Sequence, residues 1–117
     1  MRILYIAASD PYASQRAQTL LDALLVAASF GAQVSLLFQG HGLLQLLPEQ
    51  DAARLDRRSL GAQLDALPLF DVDAIYADQH DAERLQLDLS ASSVTVQWLA
   101  ANAIASLIAA HDQVIRL

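Results

Sequence analysis

ILYIAASDPYASQRAQTLLDALLVAASFGAQVSLLF, residues 3 to 38, decides the fold. Ile3 to Ala8 is a continuous apolar run, the pattern of a strand covered on both faces. Ser9-Asp10-Pro11 interrupts it and offers side-chain oxygens suited to capping a helix. From about Ser14 to Phe30, the residues Ala17, Leu20, Leu21, Leu24 and Ala28 fall on one helical face, and Gly31 supplies a C-terminal stop. Gln33 to Phe38 reads as a second buried strand. Strand, helix and strand joined by short turns make a βαβ unit, which implies a mainly parallel sheet.

The rest of the chain continues the alternation. Gly40 to Pro48, GHGLLQLLP, is an apolar segment between turn formers, and Asp51 to Arg58 is a charged loop or helical turn. Ser59 to Leu67 predicts a short helix, and Asp73 to Ala77 a third strand. A helix is expected from about His80 to Leu85, and Val94 and Val96 mark a short fourth strand. Trp98 to Ala110 predicts a last helix and Asp112 to Leu117 a fifth strand. The pattern predicts one α/β domain over residues 1–117, three layers deep (α/β/α) on a five-stranded, mainly parallel sheet, flavodoxin-like in outline.

Composition excludes several chemistries. The 117 residues are 55% hydrophobic and 17% charged, which is globular and far from disordered. Net charge is −6, and all seven basic residues are arginines scattered at positions 2, 16, 54, 57, 58, 84 and 116. Phosphate affinity needs clustered positive charge, so direct nucleic-acid binding is not expected. With no lysine, a Schiff-base mechanism and a P-loop lysine are excluded. With no cysteine, so are disulfides, thiolate metal sites and thiol nucleophiles within this chain. The opening apolar run is too short for a signal peptide, and no stretch reaches the roughly 20 apolar residues of a membrane span. A soluble cytoplasmic protein is expected.

In open α/β sheets ligands gather beyond the carboxyl ends of the strands. The loop there after the first strand, Ala8 to Pro11, lacks the glycine patterns that cradle phosphate and reads as a turn and cap. After the second comes Gln39-Gly40-His41-Gly42. Its glycines permit close backbone approach, and His41 is either a titrating group or a plain turn residue. Leu43, Leu44, Leu46 and Leu47 then crowd into a segment between turn formers. So many leucines outside the regular pattern predict an apolar patch of the kind that marks a protein interface.

IYADQH, residues 75 to 80, follows as the third such site. Asp78, His80 and Asp81 are either an acid/base cluster or the end of a strand (Asp78) and the cap of a helix (Asp81). No serine or second histidine stands beside them at catalytic or metal-ligand spacing, and no cofactor or metal is expected. Between Asp88 and Asp112 there is no charge at all. A final helix carrying Trp98, Ile104 and Leu107 is therefore apolar nearly all round. It needs cover beyond its sheet-facing side, from another subunit or from elsewhere in the chain.

Several of these segments together resemble a known family. LDALLVAAS (21–29), GLLQLLPEQ (42–50), LPLFDVDAIYAD (67–78) and the closing DQVIRL make the chain similar, nearly end to end, to the DsrE/DsrF/DsrH family of small sulfur-relay proteins, and within it to the TusC-like, or DsrF-like, subunits. None of these segments is a catalytic motif. The resemblance implies that sulfur-carrying members hold a persulfide cysteine at the end of the strand that here reads DAIYAD, so that Asp78 stands at or beside that position. A carboxylate cannot carry a persulfide, which needs a thiolate. The resemblance further implies a non-catalytic subunit, with TusB-like and TusD-like sister chains in a heterohexamer, one sister supplying the cysteine. Such complexes serve 2-thiolation of the tRNA wobble uridine, or dissimilatory sulfur oxidation in the DsrF case. A homo-oligomeric small-molecule-binding α/β domain is the alternative outside that class.

Overall fold

Five parallel strands form one sheet in the order β4-β3-β2-β1-β5. They are β1 Arg2–Ala7, β2 Gln33–Phe38, β3 Ala74–Asp78, β4 Gln97–Leu99 and β5 Gln113–Arg116. The computed structural model describes residues 1–11, 15–47, 59–90 and 92–117. Its helices are α1 Arg16–Ser29, α2 Ser59–Asp65, α3 Gln79–Arg84 and α4 Ala101–Ala109, with 3-10 turns over Gly40–Leu46 and Leu67–Phe70. The α/β class and the five-stranded parallel sheet expected from sequence are what the chain forms.

Why this order leaves the two faces unequal follows from crossover handedness. From β1 through β4 each step moves the same way across the sheet, so right-handed crossovers put the connecting helices on one face. The return from β4 to β5 reverses direction and carries α4 to the other face. Alternation along each strand then divides the core. Ile3, Tyr5 and Ala7 of β1 and Val34, Leu36 and Phe38 of β2 pack with Leu20 and Leu24 of α1, Leu64, Leu67 and Ala82. Leu4, Ile6 and Leu37 point the opposite way and meet Ile104 of α4, with Tyr76, Leu99 and Leu107 partly buried around them. Among the described residues, one face carries three helices and the other a single helix of nine residues.

Helix α1 ends as its sequence suggests. Gly31 adopts φ +89°, and the Gly31 and Ala32 amides donate back to the carbonyls of Ala28 and Ala27, the Schellman pattern. Its start differs from expectation. The N-cap is Gln15 and makes no side-chain cap, so Ser9 and Asp10 do not serve that role.

The fourth strand is displaced as well. Val94 and Val96 are half-buried against the α1-face core but lie outside the ladder, which pairs Gln97, Trp98 and Leu99 with Tyr76, Ala77 and Asp78. An edge strand needs only a few residues to finish a sheet. The valines pack by their side chains alone, Trp98 belongs to β4, and the last helix begins at Ala101. The expected charged segment 51–58 lies outside the described residues.

The thin second face generates a test. Ile104 is the one buried residue of α4, so Ile104→Ala should cost about 3 kcal/mol and speed amide exchange across 101–109. The exposed Ala105→Ser should shift a urea midpoint by less than about 0.5 kcal/mol equivalent.

Candidate functional site

At the carboxyl ends of the strands, where ligands enter open α/β sheets, the chain folds over itself. The 3-10 turn at Gly40–Leu46 lies on the end of β1, and Gly42 touches its backbone directly. A Cβ at position 42 would collide with the Ala7 carbonyl. The Gly42 amide donates to the Gln39 carbonyl at 2.9 Å, and the Gln45 side-chain amide donates to the Ser9 carbonyl at 3.1 Å. Leu43 and Leu46 drop into the α1-face core. The place a ligand would occupy beside β1 is filled by the protein's own turn.

Asp78 ends β3 and begins α3. It is 8% exposed, and both carboxylate oxygens are used. One accepts the Asp81 amide at 3.1 Å, which makes Asp78 the N-cap of α3, and the other accepts the Gln39 side-chain amide at 3.2 Å. Asp81, the residue expected to cap, instead reaches across to the Gly40 amide at 2.8 Å and stands 3.5 Å from the Arg84 guanidinium. Gly40, at φ +53°, takes the left-handed conformation that turns its amide toward Asp81. Together these contacts pin the 39–42 turn to the start of α3.

No acid/base pair results. His80 is exposed, and among the described residues no hydrogen bond joins it to Asp78 or Asp81. His41, also exposed, is a turn residue. Nor is there a group of three or more His, Cys, Asp or Glu among the described residues placed to hold a metal ion. What the arrangement does chemically is accept hydrogen bonds from backbone and amide donors.

Sequence spacing hid a second polar contact. His111, after α4, sits with Nδ1 2.7 Å from the Leu107 carbonyl and Nε2 2.9 Å from the hydroxyl of Ser35. A carbonyl only accepts, so Nδ1 carries a proton and in the neutral ring Nε2 accepts from Ser35. The pair ties the end of α4 to β2. Ser35 lies inside a central strand whose neighbours on both sides are paired, away from any turn that would present donors to an oxyanion, so the geometry is that of an anchor.

The residues expected at a protein interface divide. Leu43, Leu46 and Ile104 are buried within the single chain, and their apolar surface is already spent on its own core. That corrects their assignment to a partner contact. The leucine crowding reflected a turn that packs inward. Leu44, Leu47 and Leu107 are half-buried, and Trp98 is exposed on the edge strand. Gln39 and Gln45, which fix the turn, escaped sequence reading; the only signal was two polar residues amid glycines and leucines.

Comparison with known proteins follows the same outline. The DsrE/DsrF-like family model matches residues 1–117. Over 115 residues the chain is 33% identical to the "Protein TusC homolog" of Pseudomonas aeruginosa, covering 98% of this chain and 97% of that one. Over 116 residues it is 29% identical to "Protein TusC" of Klebsiella pneumoniae, covering 98% of each. The crystal structure of the ychN protein from E. coli superposes with a TM-score of 0.80 over 100% of this chain and 99% of that one, at 13% identity. That last likeness is one of fold alone.

Two substitutions test this geometry. Gly42→Ala should destabilise the chain by about 2 kcal/mol through forced displacement of the turn, read as a lower urea midpoint. Asp78→Ala removes a cap and leaves the Gln39 amide without its acceptor, a loss of about 1–2 kcal/mol. Asp78→Asn, which keeps an acceptor oxygen, should lose less than half of that. An Asp78→Ala variant as stable as the parent would show that the carboxylate is not a structural cap.

Proposed function

This chain belongs to the DsrE/DsrF-like family, and from that premise we propose that it is a non-catalytic subunit of a TusBCD-type sulfur-relay complex. In this reading a sister chain carries the sulfur as a persulfide on its cysteine. TusB-like and TusD-like sisters complete a heterohexamer, and the sulfur goes on to the 2-thiouridine of the tRNA wobble position. The names of the two TusC relatives support it.

One observation carries the proposal. The chain has no cysteine, and the residue at the end of β3 is a buried carboxylate whose oxygens hold α3 and the Gln39 side chain. A relay station needs a thiolate that attacks a persulfide sulfur and is then attacked in turn. Asp78, at or beside the position implied for the family's cysteine, offers no nucleophilic sulfur, and each of its oxygens already accepts a hydrogen bond that holds the fold. What this chain contributes is then surface and shape, with Trp98, Leu44, Leu47 and Leu107 as contacts still open to a sister chain.

Its charge is consistent with that role. At −6 and without lysine, its net charge opposes contact with a polyanion such as tRNA, and in this reading sulfur leaves the complex through a protein carrier. No helix among the described residues is long and apolar enough to cross a membrane.

The test is a tagged copy of the chain recovered from its own host, followed by native mass spectrometry. Two further chains of similar size, in a two-of-each assembly and with a persulfide-forming cysteine on one of them, are the expected result. A chain recovered alone or only with copies of itself would sink the proposal. Loss of wobble thiolation on deletion separates the tRNA role from sulfur oxidation.

A further inference from the structure

The opposite end of the sheet carries the largest bare apolar residues of the described chain. Phe30, at the end of α1, is 88% exposed, and Leu69, in the 67–70 turn, is 85% exposed. Val26 lies one helical turn before Phe30, and Phe70 follows Leu69; both are also exposed. α1 packs against the 67–70 turn, so the segments that carry these four side chains are neighbours in the fold. Between the two elements opens a cleft of about 440 Å³ at the amino ends of β1, β2 and β3. Its walls include Ala28, Ala32, Val34 and Phe70, and its polar lining includes Asp71, Asp73 and Arg2.

A small molecule in the cleft would leave Phe30 and Leu69 in water, so it does not account for the face. A protein does. The four side chains present on the order of 500 Å² of apolar surface, at the upper end of what monomers leave bare. A stable interface covers about 800 Å² on each partner, roughly 60% of it apolar. The patch matches the apolar share of one such interface.

Charge selects the occupant. Asp71 and Asp73 line the cleft, and Asp22 precedes Val26 by one helical turn on the exposed side of α1. Arg2 is the one cation in the lining among the described residues, and its guanidinium donates to the Ala110 carbonyl at 2.8 Å. Two copies of this chain meeting here would set aspartates against aspartates, a juxtaposition that selects against self-association. We infer that the Phe30–Leu69–Phe70 face is the docking surface for a non-identical protein chain that inserts an apolar side chain into the cleft and rings it with lysine or arginine. The inference goes beyond the sulfur-relay reading and does not require it.

The experiment places a photo-crosslinking phenylalanine analogue at position 30 or 69 of the tagged chain in its own host, with the same analogue at the exposed Glu83 of α3 as control. Cross-linked peptides are sequenced by mass spectrometry. The expected product joins positions 30 and 69 to a single other chain, at a peptide with lysine or arginine beside an apolar residue. With that chain purified, Leu69→Asp should weaken binding about tenfold or more. Asp71→Asn with Asp73→Asn should weaken it and flatten its salt dependence, all with unfolding midpoints unchanged. Cross-links to a second copy of this chain, or no more cross-linking at 30 and 69 than at Glu83, would overturn the inference. A partner of the expected chemistry that carries no persulfide cysteine and brings no such chain with it would leave the docking face standing and remove the sulfur-relay reading instead.

Discussion

The contact between Gly42 and the Ala7 carbonyl fixes more of this molecule than any other. Only a residue without a side chain can lie there, and once it does, the following residues have no freedom. Leu43 and Leu46 must enter the core, Gln45 meets the Ser9 carbonyl, and the Gly40 amide comes within reach of Asp81. Asp78 then closes the arrangement by binding both α3 and Gln39. Every polar group in this set has a partner from the same chain. A ligand site beside β1 would have to displace a packed turn and expose two leucines, which costs several kcal/mol before any binding begins.

Sheet topology supplies the second constraint. Placing β5 beside β1 sends the chain back across the sheet once, and among the described residues that return yields one helix for a whole face. The nine residues of α4 cover Leu4, Ile6 and Leu37 through Ile104, while Ala101, Ala105, Ile108 and Ala109 look outward without a charge among them. The charge-free stretch from Asp88 to Asp112 is thus explained only in part by burial within the chain. The sequence implied cover on more than one side of this helix, and the described residues provide it on one.

Most of the architecture was legible because its signals are local. Apolar runs at 3–8 and 33–38 became central strands, the periodicity of Leu20, Leu21 and Leu24 became a helix face, and Gly31 stopped it. The failures share one cause, which is that apolar character says a residue is covered but not by what. Leu43 and Leu46 looked like surface in need of a partner and are core; Val94 and Val96 looked like a strand and are packing. Phe30 was read as the end of a helix and Leu69 was given no role, and they are the most exposed large apolar residues of the described chain. Asp78 was left between two roles because spacing cannot show that its oxygens are already taken.

On the sulfur-relay proposal, a subunit without a thiol keeps its fold at this position through Asp78. A cysteine at the end of β3 would be a poor helix cap, since a thiol accepts hydrogen bonds weakly, whereas a carboxylate is among the strongest caps and is favoured by the helix dipole. A chain relieved of carrying sulfur is free to place the better cap there, and Asp78 also gains the Gln39 amide. On the proposed reading the substitution is therefore more than a loss. On that same reading, the position of a sulfur carrier's thiol is held in this chain by a carboxylate that clamps α3 to the 39–42 turn.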